Sequence, residues 1–60
     1  MPDTIRERDV AEAINAKTDD LIALIKTHAI DMGAEGQRCA AIAVDRYEEA
    51  AMWAVKALFS

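Results

Sequence analysis

The sequence predicts an all-α fold: a two-helix antiparallel hairpin that assembles with further copies into a compact homo-oligomeric helical bundle. Apolar residues recur at three- and four-residue spacing on both sides of one glycine-containing break. The chain has 60 residues, of which 53% are apolar but only three are aromatic. A chain of this length removes only about 60% of its unfolded surface from water by folding alone. One cysteine and one histidine are too few for a disulfide or a zinc site, so self-association is the remaining source of stability.

The first helix is expected at about residues 5–31. Thr4 and Glu7 have the spacing of a capping box, which indicates its start. Residues 18–20, Thr-Asp-Asp, form an alternative cap, so a break or bend inside this helix stays open. The apolar positions follow helical spacing: Val10, Ile14, Leu21, Leu24 and Ile25.

The turn is expected at residues 32–36, which contain both glycines. Gly33 suits the left-handed position that ends many helices, and Gly36 suits a turn. The whole chain, residues 1–60, is expected to form a single helical-hairpin domain.

The second helix is expected at about residues 37–59. From Ala50 to Phe59 only Lys56 is polar, so this segment is apolar nearly all the way round, which is typical of a helix enclosed on several sides. A lone hairpin would leave a larger exposed apolar patch than soluble monomers tolerate. Copies of the same chain are the simplest cover, and Trp53 is expected in the core or a subunit interface.

No catalytic or metal site is predicted, and no cofactor. His28 and Cys39 lie on opposite sides of the turn without an orienting partner, so an enzyme is not expected. His28 is expected to close the apolar stripe of the first helix, and Cys39 to be a small buried hydrophobe. The acidic residues of the second helix lack the histidine that helix-bundle metal sites use, and a solvated face is expected for them: Asp45, Glu48 and Glu49.

The charge and hydropathy patterns exclude two classes of partner. The formal net charge is −4, which argues against binding to DNA or RNA polymers because that binding requires neutralising many phosphates. No apolar run approaches the roughly 18 residues of a membrane span, and no signal peptide is evident. A cytoplasmic protein is expected, in which a few placed cations could still hold a small anion.

The second helix resembles that of a known family. The run RCAAIAVDRYEEAAMWAVKAL, residues 38–58, is similar to the closing helix of the small phage hairpin proteins that counter CBASS and Thoeris immunity, the anti-CBASS protein 2 family. In the first helix, Ile14-Asn15-Ala16-Lys17 and residues 21–25 fall where that family has an Ile-Lys pair and an apolar run. The resemblance covers about residues 10–59.

The resemblance implies a molecular sponge acting in the host cytoplasm. Such a protein is a homo-oligomer, a hexamer in the anti-CBASS branch, which binds cyclic dinucleotides such as cyclic GMP-AMP, or cyclic trinucleotides, between protomers without cleaving them. It thereby blocks activation of CBASS effectors. Carried over by position, the implied ligand-binding residues are Asn15, Lys17, Arg46 and Lys56. The sequence departs from the family pattern at three points. Asn15 stands where the family has lysine, and Val55 stands where many members have asparagine. The family's stacking tyrosine lies upstream of the first helix, where this sequence has no tyrosine.

Two other functions stay open from the sequence. The apolar second helix could make the chain a small helical oligomeric adaptor that binds another protein. A dimeric hairpin that binds RNA is a third possibility, which the acidic balance disfavours.

Overall fold

The computed structural model describes residues 3–60, with side chains from Arg6 onward. Two helices make up the fold: α1 covers Asp3–Ala29 and α2 covers Ala34–Leu58. They form a hairpin whose Cα atoms extend 49 × 18 × 6 Å, so the molecule is a thin plate one helix thick. The predicted all-α class and the hairpin are confirmed, since no strand occurs within residues 3–60.

Helix α1 runs without interruption through the Thr-Asp-Asp segment. The Thr18 hydroxyl donates a hydrogen bond to the Ile14 carbonyl at 2.6 Å, so it bonds to the preceding turn and does not start a new helix. The break that the sequence left open is therefore absent. The predicted capping box depends on the side chain of Thr4, which lies outside the described side chains.

The turn is shorter than expected, and both glycine predictions were wrong. Gly33 has φ −71° and ψ −179°, an extended conformation that any residue adopts, and it is the N-cap of α2. Gly36 lies inside α2, in its first turn. The first helix ends at Ala29 because the amides of Asp31 and Met32 bond back to His28 and Ala29 as isolated turns.

Gly36 is required because another side chain approaches it closely. A Cβ atom at this position would lie 2.8 Å from the Met32 Cβ and 3.2 Å from its sulfur, whereas a Cβ at Gly33 would meet nothing within 4 Å. Met32 therefore packs over the bare backbone of the first turn of α2. The glycine allows the chain to reverse within four residues.

A single seam joins the helices, and small residues form it. The only buried apolar side chains among the described residues are Ala11, Ala40 and Ala51. Around them lie half-buried residues at heptad-like spacing. On α1 these are Ile14, Thr18, Ile22, Ile25 and Ala29, and on α2 they are Ala43, Val44, Tyr47, Ala54, Val55 and Leu58. Alanine lets the two backbones approach closely, but it removes little apolar area from water.

Much apolar surface is consequently uncovered. The accessible surface is 4707 Å², against about 3,900 Å² for a compact monomer of this mass. The radius of gyration is 14.5 Å, against about 10 Å for a globular chain of this length. The exposed large apolar side chains are Val10, Leu21, Leu24, Ile30, Ile42, Met52, Trp53 and Phe59. One seam between two helices cannot cover more than one side of each helix.

Neither helix of residues 3–60 combines the length and the apolar character needed to cross a lipid bilayer.

The close approach at Gly36 leads to the first prediction. Gly36→Ala should lower the free energy of unfolding by about 1 kcal/mol, because forcing Met32 aside costs about 1–3 kcal/mol and the higher helix propensity of alanine returns at most about 1 kcal/mol. Thermal unfolding followed by circular dichroism at fixed protein concentration measures the change. Gly33→Ser is the matched control, expected to be neutral or stabilising by a few tenths of a kcal/mol, since serine is a good N-cap. A Gly36→Ala protein more stable than the wild type would contradict the packing of Met32.

Candidate functional site

Two broad faces of the plate are available to ligands, and the first carries a groove. The groove has a volume of about 320 Å³ and crosses the seam near the turn. Lys26 of α1 and Gln37 of α2 both line it; we call this side the groove face. Its remaining lining is small or acidic: Ala29, Ala40, Ala41, Val44 and Asp45.

The opposite face carries two of the sequence-predicted site residues. Nine residues make about two and a half helical turns, so residues nine apart point in opposite directions. Lys17 lies nine residues before Lys26, and Arg46 lies nine residues after Gln37. Lys17 and Arg46 therefore share the face opposite the groove, which we call the cationic face.

The two cations also lie at the same height along the hairpin. Because α1 ends at Ala29 and α2 begins at Ala34, residues whose numbers sum to about 63 lie opposite each other at 1.5 Å rise per residue. Lys17 and Arg46 meet this condition. Arg46 is the central residue of α2, so the two cations flank the seam at the middle of the molecule.

The surroundings of Lys17 are mostly apolar. Lys17 lines a second shallow groove of about 360 Å³ with Asp20, Leu21 and Leu24. Acidic side chains collect on the other side: Asp45 lines the first groove, and two more lie whole numbers of turns from groove residues, namely Asp19 and Glu48. Charge is thus unevenly distributed between the faces: Asp19, Asp45 and Glu48 lie with Lys26 on the groove face, whereas Asp20 is the one acid that lines the Lys17 groove.

Arg46 is held less firmly in its ion pair than Arg38, the other arginine of α2 that forms an ion pair. One Arg46 nitrogen donates to Glu49 at 3.2 Å. Arg38 donates twice to Glu35, at 2.7 and 3.2 Å, in the order of acid before base that the helix dipole favours. All four side chains are exposed, so each pair contributes little to stability. Arg46 is the guanidinium more readily available to an incoming anion.

The other two predicted site residues do not join this pair within one protomer. Asn15 lies eleven residues, about three turns, before Lys26, so it belongs to the groove face. The Lys56 ammonium lies 5.1 Å from the centroid of the Trp53 ring, a cation–π contact about 15 Å along the axis from Arg46. Trp53 is 55% exposed. Of the four residues carried over by position, only Lys17 and Arg46 share a face of one protomer.

Two predictions about chemically active side chains were wrong. Cys39 is a free, exposed thiol that donates to a Glu35 oxygen at 3.7 Å, and not a buried hydrophobe, because its position on α2 faces away from the seam. His28 is exposed too and does not close the stripe, since Ala29 takes the seam position. The solvated face expected for Asp45, Glu48 and Glu49 is confirmed, as all three are exposed. Among residues with described side chains, no cluster of three or more His, Cys, Asp or Glu could hold a metal ion.

Comparison with known proteins identifies the family. A family model described as Acb2/Tad1, hairpin domain, matches residues 2–59. The chain belongs to this family. No curated protein and no solved structure matched significantly. Membership in the Acb2/Tad1 hairpin family confirms the resemblance found in the sequence and indicates an anti-defence function. The matched model describes a small hairpin domain, in agreement with the two helices of the structure.

The Arg38 pair leads to the second prediction. The hydrogen bonds from Arg38 hold the pKa of Glu35 below its ordinary value of 4.5. A carboxyl whose pKa is lowered by folding stabilises the helix above that ordinary value, and the stabilisation is lost as the pH falls through the lowered pKa. In Arg38→Gln the Glu35 pKa should rise toward 4.5, as measured by NMR titration of the side-chain carboxyl carbon. Arg46→Gln, the matched change at the other ion pair, should leave the Glu35 titration where it is. An unchanged Glu35 titration in Arg38→Gln would show that the pair does not persist in solution.

Proposed function

We propose that this Acb2/Tad1 hairpin protein is a phage anti-defence sponge. It binds cyclic oligonucleotide immune signals in the host cytoplasm, without cleaving them, and so prevents activation of CBASS effectors. The ligands are cyclic dinucleotides such as cyclic GMP-AMP, and cyclic trinucleotides. The working form is a homo-oligomer, a hexamer as in the anti-CBASS branch of the family.

The observation that carries this proposal is the shared face of Lys17 and Arg46. A cyclic oligonucleotide is a compact ring with two or three phosphates and apolar base faces. The cationic face supplies the matching groups: two cations at one height for phosphates, and Leu21 and Leu24 for the bases. Charge-assisted hydrogen bonds from arginine and lysine to phosphate are among the strongest a surface can offer. Although the net charge is −4, the carboxylates Asp19, Asp45 and Glu48 lie on the other face, and Asp20 is the one acid in the Lys17 groove.

Self-association strengthens the site. One protomer presents two cations on an open surface, where water screens their attraction for phosphate. In a symmetric assembly each cation is repeated around the axis, and packed side chains exclude water between copies. Asn15 and Lys56, which lie off the cationic face of their own protomer, contribute in this proposal to ligands held against another copy.

Binding affinity provides the third prediction. Lys17→Gln and Arg46→Gln should each weaken binding of cyclic GMP-AMP by about 10- to 100-fold, because a hydrogen bond to a charged group contributes about 1.5–3 kcal/mol. Isothermal titration calorimetry on the wild-type protein, with cyclic di-AMP and a cyclic trinucleotide as further ligands, measures the affinities. Lys26→Gln and Arg38→Gln are the matched controls: each removes the same charge from a side chain off the cationic face, and each should bind within about twofold of wild type.

The fate of the ligand tests the sponge mechanism separately. After binding, heat denaturation should release the cyclic nucleotide intact, as seen by liquid chromatography. A linear product would mean that the chain is an enzyme. A wild-type oligomer that binds none of the three ligands would refute the sponge and favour the adaptor function.

A further inference from the structure

A stripe on the outer side of α2 is left without a partner in the hairpin. It consists of residues spaced alternately three and four apart, the spacing of a coiled-coil seam. These residues are Cys39, Ile42, Arg46, Glu49, Trp53 and Lys56, and all are exposed. We call this set the outer stripe. It includes two large apolar side chains, Ile42 at 44% and Trp53 at 55% exposure.

The order of residues along the outer stripe is self-complementary. When the stripe is laid antiparallel on a copy of itself, with the centre between Tyr47 and Glu48, every member meets another member. Ile42 then meets Trp53 of the copy, and Arg46 meets Glu49 of the copy. Each pairing occurs twice, as in an isologous interface, where residue i contacts j and j contacts i.

We propose that the outer stripe is the surface through which two copies of this chain associate, in this antiparallel register. Apolar side chains cover each other on both sides of the centre, and opposite charges face each other at the centre itself. Moving the register by one heptad brings Arg46 opposite Ile42, so the charges lose their partners. The inference rests on the self-association proposed above and specifies which surface carries it.

This pairing completes the ligand site. Two antiparallel helices that pack edge to edge are related by a twofold axis perpendicular to the plate. Rotation about this axis leaves both cationic faces pointing to the same side. The two Arg46 side chains then flank the axis, with one Lys17 beyond each of them. Arginine has five N–H donors, so one guanidinium can bond Glu49 of the other copy and still donate to a phosphate. The partner copy therefore supplies a cation that a single hairpin lacks.

A charge exchange between copies tests the register and forms the fourth prediction. Arg46→Glu leaves only acids at the centre of the stripe, and Glu49→Arg leaves only bases, so each variant should associate with itself at least 10-fold more weakly than wild type. Mixed together, the two variants restore both opposite-charge pairs. Native mass spectrometry of the mixture, with one variant isotopically labelled and no nucleotide present, should show mixed oligomers at least 10-fold in excess of the statistical proportion.

The other ion pair of α2 is the matched control. Glu35→Arg and Arg38→Glu make the same changes, but in this register their positions face Ser60 and Ala57 of the copy, which are uncharged. Their mixture should show only statistical proportions. All four substitutions are at exposed positions, and helical content by circular dichroism verifies folding.

A cross-link tests the same register independently of charge. Cys39 should face Lys56 of the copy, so Lys56→Cys should form two disulfides between copies. Each disulfide forms when one glutathione disulfide oxidises a pair of thiols and is itself reduced to two glutathione molecules. Met52→Cys, one residue from the stripe and turned toward the groove face, should not cross-link to Cys39. If the charge variants mix in statistical proportions and no cross-link forms, the outer stripe is not the interface between copies. Self-association through another surface would remain intact. A wild-type protein that stays monomeric would overturn both.

Discussion

The whole structure depends on one geometric constraint: two helices share only one seam. In this hairpin the seam is built around Ala11, Ala40 and Ala51, which bring the helices close but bury little area. Burial of apolar area at about 25 cal/mol per Å² is the main source of folding free energy. The chain nevertheless carries larger apolar side chains, such as Ile42, Met52 and Trp53, all on the outside. The protomer therefore leaves exposed the apolar surface whose burial would stabilise it.

The same geometry links assembly to ligand binding. A plate one helix thick has two faces and two edges, and the sequence assigns each a distinct chemistry. One face carries Lys17 and Arg46 among apolar residues, the other carries most of the nearby carboxylates, and the outer side of α2 carries the self-complementary stripe. Arg46 stands at the border between the cationic face and that stripe. In the proposed function, joining copies and gathering phosphate-binding cations are consequences of the same packing.

Much of the fold could be predicted from the sequence, and the site only in part. Periodicity and the glycine pair located both helices, and the excess of apolar residues after Glu49 predicted the uncovered surface. The predicted helix ends were wrong because the presence of a glycine does not by itself reveal the backbone conformation. Gly33 is an N-cap in extended backbone, and Gly36 allows close packing against Met32. Cys39 was wrongly predicted to be buried because the prediction rested on the usual burial of cysteine and not on the direction in which this position of α2 points. The relation between Lys17 and Arg46 was readable only once the groove fixed which residues of α1 and α2 share a face. The ion pair of Arg46 with Glu49 joins residues at i, i+3 spacing, which are neighbours on any helix surface.

The central claim is that this hairpin is stable as a member of an assembly and not alone. Sedimentation velocity from nanomolar to high micromolar concentration, with helical content followed over the same range, tests it most directly. The expected result is a particle several times heavier than the 6.6 kDa chain at micromolar concentration, with helicity lost as dilution separates the copies. A fully helical particle of 6.6 kDa at every concentration would contradict it.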